Sequence, residues 1–219
     1  MNLGKQIPDF KAETTEGPLQ MYEYIKDSWS VLMTHPASLT PVCTTEMSEY
    51  IKLIYEFENR KTKLLTMSFD SKEKNKQWVE DIIALSKVDS SKPLPFPLIA
   101  DENREIGVML GMIEKEKQNA PGIYFPARHC VIIGPDTKIK GIFVHSASTG
   151  RNMTEILRAL DSAQLTFKTG VATPVNWKIG DNVIVPEKLP KDQVEKFVKN
   201  LQTVALPSKQ TYLQVGELK

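Results

Sequence analysis

Hydrophobic and polar positions alternate between two rhythms over the first two thirds of the chain. Val31, Leu32 and Met33 form a short continuous apolar run within 30–34, the signature of a buried strand. After it Met47, Ile51, Ile54 and Glu58 recur at helical spacing, with Tyr50, Tyr55 and Phe57 beside them. The step then repeats. Leu64, Leu65, Met67 and Phe69 predict a buried strand ending at Asp70, and Trp78, Ile82 and Leu85 predict one face of a helix starting after Ser71. Three prolines within 92–97 require an extended connector, leading into a short strand at Leu98, Ile99 and Ala100 and a short helix over 106–110.

A hairpin follows, with one strand over 127–133, a turn at Gly134, Pro135, Asp136 and Thr137, and a return strand over 138–145. Gly150, Arg151 and Asn152 open a helix whose apolar stripe runs through Ile156, Leu157, Leu160, Ala163 and Phe167. From Gly170 the composition shifts: Pro174, Pro186, Pro190 and Pro207 punctuate a tail with one predicted strand over 182–185 and one helix starting at Pro190. A tail this short buries little core alone, so it is expected to dock on the first domain or on a second subunit. Strands alternating with helices, plus an added hairpin, define an α/β chain.

Charge narrows the functional classes. With 28 basic against 27 acidic residues, nothing steers the chain toward nucleic acid or an anionic membrane. Lys72, Lys74 and Lys76 are interleaved with Glu73 and preceded by Asp70, which reads as a solvated helix face. The N-terminus lacks the apolar core of a signal peptide and no apolar run reaches membrane-spanning length, so a cytoplasmic protein is expected. Two cysteines, Cys43 and Cys130, do not make a disulfide framework, and in a reducing compartment thiols stay free unless catalytic.

Cys43 is the candidate for chemistry. It follows the first predicted strand and falls in the first turn of the helix after it, with Pro41 suited to the first helical position and Thr40 to the N-cap. A helix N-terminus presents unpaired N–H groups and a partial positive charge, which favour thiolate over thiol. In open α/β sheets, sites gather at the carboxyl ends of the strands. A lone cysteine also has a plainer reading, as an inert core residue.

The run His35-Pro36-Ala37-Ser38-Leu39-Thr40-Pro41-Val42-Cys43-Thr44-Thr45-Glu46 resembles the active-site loop of the peroxiredoxins, whose signature is proline, three residues, threonine, two residues, cysteine. The likeness spans essentially the whole chain, through Pro8-Asp9-Phe10, Pro126-Ala127-Arg128, Gly134-Pro135-Asp136, Thr149-Gly150-Arg151-Asn152 and the tail run Ala172-Thr173-Pro174-Val175-Asn176-Trp177-Lys178. The tail is similar to that of the one-cysteine, peroxiredoxin-six branch. This resemblance implies a thioredoxin-like fold over 1–168, followed at 169–219 by a small C-terminal α+β domain that helps form a homodimer. It implies that Cys43 attacks peroxide oxygen and becomes a sulfenic acid, reducing hydrogen peroxide and organic hydroperoxides. Arg128 would stabilise the charge, Thr40 would contact sulfur and peroxide, and Pro36 would shield the sulfur from water. Arg151 matches a second arginine that holds the loop. His35 and Glu46 match positions assigned to supporting hydrogen bonds, or read more plainly as a strand-end histidine and a helix-facing carboxylate. No metal or organic cofactor is required.

Cys130 reads as a core thiol, the family having an apolar residue there, or as a resolving thiol on the Arg128 face of its strand. Residues 169–219 contain no cysteine, so the resemblance implies re-reduction by an external thiol such as glutathione or a thioredoxin-like protein. Two departures stand out. Ser38-Leu39 occupies positions where many relatives have arginine or aspartate and phenylalanine. The branch can also carry a phospholipase site on Gly-Asp-Ser-Trp-Gly, but here that run is Lys26-Asp27-Ser28-Trp29-Ser30, Tyr22 stands at the histidine position, and only Ser28 and Asp136 remain. A phenol is a poor base at neutral pH, so no significant phospholipase activity is expected. A redox sensor or chaperone switched by oxidation of Cys43 is the alternative function, separated from an enzyme by turnover. A thiol-disulfide oxidoreductase would generally carry Cys-x-x-Cys, and Thr44, Thr45 and Glu46 follow Cys43.

Overall fold

The computed structural model describes residues 1–89, 91, 93–119 and 125–219. In chain order the elements are β1 (Lys11–Thr14), β2 (Gly17–Gln20), α1 (Met21–Ile25), β3 (Trp29–Thr34), α2 (Pro41–Lys52), α3 (Ile54–Asn59), β4 (Thr62–Ser68), α4 (Lys72–Ser86), β5 (Leu98–Ala100) and α5 (Glu105–Met109). There follow β6 (Arg128–Ile133), β7 (Ile139–His145), α6 (Met153–Thr169), β8 (Val183–Ile184), α7 (Lys191–Phe197), β9 (Val198–Thr203) and β10 (Gln214–Leu218). The chain divides into two compact units, Met1–Met153 and Thr154–Lys219.

The first unit is built on a seven-stranded sheet in the order β2-β1-β5-β4-β3-β6-β7. β3 runs parallel to β4, and β4 to β5, while the remaining pairs are antiparallel. Every residue of β3 is buried, which is why its sequence reads as a continuous apolar run rather than an alternation. The expected hairpin forms β6 and β7, closed by a Gly134 to Thr137 turn in which the Thr137 N–H donates to the Gly134 carbonyl at 2.9 Å. The β1–β2 hairpin was not predicted. Its inward residues include Ala12 and Thr14, whose weak hydrophobicity leaves little pattern to detect.

Three stripes differ from expectation. The helix carrying Cys43 stops at Lys52, and Leu53 (φ −97°, ψ 7°) separates it from α3. The break shifts the helical phase, so Phe57 is buried whereas Tyr55 and Glu58 face outward. On α4 Trp78 and Ile82 are buried as expected, but the face continues through Asn75 and Ser86, whose polar side chains leave no apolar signal, and Leu85 is exposed. On α6 Ile156 and Leu160 are buried but Phe167 is exposed. Lys92, the first residue of the expected connector, lies outside the described residues.

The second unit holds a three-stranded sheet in the order β8-β10-β9 over a cluster of buried Val171, Val183, Val185 and Val198. The single expected strand is β8, and two more join it. β9 buries only Val198, so it has no alternation to betray a strand.

Candidate active site

The loop 35–40 leaves the carboxyl end of β3 and enters α2, whose third residue is Cys43. Pro41 takes the first helical position and Thr40 the extended N-cap, and the Thr44 N–H donates to the Thr40 carbonyl at 2.9 Å to close the first turn. The cap is not made by the Thr40 side chain, as its residue type suggested. Its hydroxyl donates to the Ala37 carbonyl at 2.7 Å, tying the loop to itself. Pro36 is buried in the same loop.

The Cys43 sulfur is wholly buried, at 0 % exposure, and accepts a hydrogen bond from Arg128 Nη1 at 3.3 Å. Arg128 is the first residue of β6 and is itself buried; its Nε and Nη2 donate to the Ala147 carbonyl at 3.0 and 2.5 Å. The same Nη1 donates to Glu46 Oε2 at 2.8 Å. Glu46 lies three residues after Cys43, on the same side of α2. It also receives Arg151: the backbone N–H and Nε at Oε1 (2.8 and 2.9 Å), and Nη2 at Oε2 (2.8 Å). Arg151 Nη1 donates to the His129 carbonyl at 2.6 Å, and its guanidinium stands 5.9 Å from the centre of the Tyr50 ring.

Burial alone would raise the Glu46 carboxyl, but the hydrogen bonds and charge of Arg151, then Arg128, outweigh it and hold the group below the usual carboxylate range. Two guanidiniums against one carboxylate leave one surplus positive charge, in a dry site where it acts at close to full strength on an anion at sulfur.

His35 does not make the supporting side-chain hydrogen bonds expected of it. Its backbone N–H donates to the Met67 carbonyl at 3.0 Å, but neither ring nitrogen has a hydrogen-bond partner among the described residues. The ring is 0 % exposed and packs at 5.1 Å from that of Trp78, and burial, then the charge of Arg151, lowers its pKa to about 3. Trp78 in turn donates through Nε1 to Thr44 Oγ1 at 3.0 Å.

Cys130 pairs with Met33 across the β3–β6 ladder and is fully buried; burial pushes its thiol up to about 12, so it is a poor nucleophile and the core reading fits. The remnants of the second motif are engaged elsewhere. Ser28 Oγ donates to the Ile25 carbonyl at 2.9 Å, the Tyr22 hydroxyl to the Ile7 carbonyl at 2.7 Å, and Asp136 pairs with Lys140 at 2.7 Å. Among the described residues no cluster of His, Cys, Asp and Glu is placed to hold a metal ion, and no helix is long and apolar enough to cross a membrane.

Residue patterns had not marked the carbonyls of Ala147 and His129, because backbone acceptors carry no side-chain signature. Nor had they separated Trp78 from the ordinary core, or shown the anchors of Ser38. Its N–H donates to Asp70 Oδ2 and its hydroxyl to Asn75 Oδ1, both at 2.6 Å.

A buried thiol in the first helical turn after a central strand, faced by a guanidinium, places the molecule in the class of cysteine-dependent redox enzymes on a thioredoxin-like fold. Residues 3–142 match the model of the AhpC/TSA family, and residues 162–201 that of the C-terminal domain of 1-Cys peroxiredoxin. Peroxiredoxin-6 of Gallus gallus is 43 % identical over 213 residues, covering 97 % of this chain and 95 % of its own. A cysteine-to-serine mutant of Peroxiredoxin 6 of Arenicola marina superposes with a TM-score of 0.91 at 38 % identity, over 100 % of this chain and 99 % of its own. The yeast mitochondrial 1-Cys peroxiredoxin, described with a thiol resolving mechanism via glutathione/thioredoxin systems, gives 0.84 at 34 % identity, covering 99 % of each chain. The chain belongs to the AhpC/TSA family as a one-cysteine peroxiredoxin of the peroxiredoxin-six type, and is a thiol-dependent peroxidase.

Proposed function

We propose that Cys43 is the peroxidatic nucleophile and that Thr40, Pro36 and Arg128 complete its catalytic loop. The sulfur attacks one oxygen of the peroxide, the S–O bond forms as the O–O bond breaks, and the leaving oxygen takes up a proton to depart as water or an alcohol. Cys43 is left as a sulfenic acid. Arg128 stabilises the negative charge that moves from sulfur to the leaving oxygen. The Thr40 hydroxyl, its proton committed to Ala37, has lone pairs with which to accept a hydrogen bond from a hydroperoxide O–H. Pro36 limits water at the sulfur. Glu46 and Arg151 act as positioning residues that orient Arg128, and His35 supports the loop by packing. The observation that carries this reading is the 3.3 Å hydrogen bond from Arg128 to the sulfur, with the same nitrogen held at 2.8 Å by Glu46.

Re-reduction takes a thiol from another molecule, because residues 169–219 contain no cysteine and burial pushes the Cys130 thiol up to about 12. One external thiol condenses with the sulfenic acid to a mixed disulfide with loss of water, and a second releases Cys43. The yeast relative makes glutathione or a thioredoxin-like protein the reductant to test first. The proposal extends to a peroxidase domain over 1–168, a C-terminal domain over 169–219 that forms a homodimer, and a cytoplasmic location, where two free thiols persist. Val175 (87 % exposed) and Ile179 (71 %) support the dimer, being apolar surface in want of a partner.

Peroxide consumption by the purified protein with excess thiol tests the assignment. Many peroxides are consumed per chain, mass measurement after one equivalent shows one added oxygen at Cys43, and Cys43→Ser falls to the uncatalysed background. A fully active Cys43→Ser protein ends the assignment, and a single turnover per chain favours a sensor.

A further inference from the structure

The Cys43 sulfur is wholly buried, yet after oxidation it must meet a sulfur atom carried by another molecule. Peroxide is small, but a thiol must approach along the line of the S–O bond that it breaks. Uncovering the sulfur requires movement of the loop 35–40 and the first turn of α2, which are one piece because the Thr44 N–H is bonded to the Thr40 carbonyl.

The helical turn is tied to the fold by Arg128 at Cys43 and by Trp78 at Thr44, and within the loop the side-chain ties to the rest of the fold are made at one residue. His35 is bonded at the strand end, through its N–H to Met67, and Thr40 bonds within the loop to Ala37. Between them Ser38 makes two short bonds to a different part of the fold: its N–H to Asp70 Oδ2 and its Oγ to Asn75 Oδ1, each at 2.6 Å. The anchors are themselves braced. Asp70 is paired with Lys74 Nζ at 2.5 Å, and Asn75 also accepts from Ser68 Oγ at 3.4 Å. Ser38 is 1 % exposed, so water cannot readily replace either bond. The next residue, Leu39, sits in the left-handed region at φ 61° with its side chain largely exposed. A leucine keeps that conformation only while its surroundings impose it, so the loop relaxes once Ser38 lets go.

We infer that Ser38, latched to Asp70 and Asn75, is a positioning residue that sets how readily the loop 35–40 exposes oxidised Cys43 to an external thiol. The inference rests on Cys43 being the nucleophile and on its re-reduction from outside. The closed loop serves the peroxide step and the open loop serves the thiol step. Weakening the latch multiplies the small open population while scarcely lowering the closed one.

Stopped-flow tryptophan fluorescence of the full chain separates the two steps, since Trp78 packs on His35 and bonds Thr44. Hydrogen peroxide added to reduced protein reads oxidation of Cys43, and dithiothreitol, as probe thiol, added to once-oxidised protein reads the attack on it. In Ser38→Ala the thiol step accelerates about 2- to 10-fold, the range one neutral hydrogen bond is worth, and the peroxide step changes less than about twofold. Asp70→Asn, isosteric and at a partly exposed site, gives the same split and stands in if Ser38→Ala does not fold. A thiol step that is unchanged or slower in the folded variants overturns the inference, whatever happens to the melting temperature. If peroxide leaves Cys43 unoxidised in the unsubstituted protein, it is the assignment of Cys43 that fails instead.

Discussion

Glu46 carries two guanidiniums on one carboxylate, and all three side chains are at most 3 % exposed. Such a buried group is not a source of stability, since each charge loses its water. It is tolerable because every polar atom found a partner, down to the carbonyls of Ala147 and His129. The result is a fixed direction for Arg128. His35 shows the opposite treatment of a polar ring, buried with no partner and therefore kept neutral. Its consequence is a pH dependence of stability. The ordinary imidazole takes up a proton near pH ~6.5, whereas in the fold His35 does so only at about 3. Below pH ~6.5 the unfolded chain therefore binds a proton that the folded chain refuses, and stability is lost progressively as pH falls toward about 3. Glu46 and Asp70, both held low, add their own loss as the pH falls through the carboxylate range. Because those contributions remain in a His35→Leu variant, urea unfolding between pH 7 and 4 should show a shallower decline for that variant. Equal slopes for the two proteins would remove His35 from the account.

At the scale of elements, α2 does three things in one turn. It places the sulfur at its N-terminus, sends Glu46 to the arginines and offers the Thr44 hydroxyl to Trp78. The first of these was legible, because Thr40, Pro41 and Cys43 are adjacent in sequence and a helix start is a local event. The others were not, because they depend on which strand ends face α2. The β3, β4 and β6 strands were legible for a related reason: burial on both faces writes itself as an apolar run. In the second unit only β8 was legible; β9 and β10, largely exposed and bulged against each other, were not. One of them turns on a glycine. Gly216 lies where the β9–β10 register shifts, and a Cβ there would collide with Val198 Cγ1 and stand 3.1 Å from the Lys199 carbonyl oxygen. Gly216→Ala should destabilise this sheet by roughly 1–3 kcal/mol, as overpacked sites do. Amide exchange of β9 and β10 reads it, accelerating there and staying unchanged in β3; uniform exchange across both strands and β3 would deny the glycine its role.

For the molecule as a whole, the family relationship covers the chain from end to end, and with it the peroxidase chemistry. The second unit has its own small valine core and leaves Val175 and Ile179 in water. If these surfaces meet in the proposed homodimer, burying a valine side chain is worth about 1.5–3 kcal/mol, so Val175→Asp should weaken association at least about tenfold. Sedimentation should find the unsubstituted protein at twice the chain mass at concentrations where the variant is a monomer. A monomer in both cases would leave the dimer without support.

The sequence by itself determined the class and the helix start that carries Cys43, because a loop signature, a helix start and a strand of buried residues are all read over a dozen neighbouring positions. It also left residues 169–219 without a cysteine, which is what makes an external thiol the reductant to test. Only the tertiary structure decided that Arg128 and Arg151 share Glu46, from 82 and 105 positions away, and that Ser38 is latched to Asp70 and Asn75. Those contacts depend on the order in which strands enter the sheet, and no periodicity along the chain encodes which distant side chains a strand order brings within hydrogen-bonding distance.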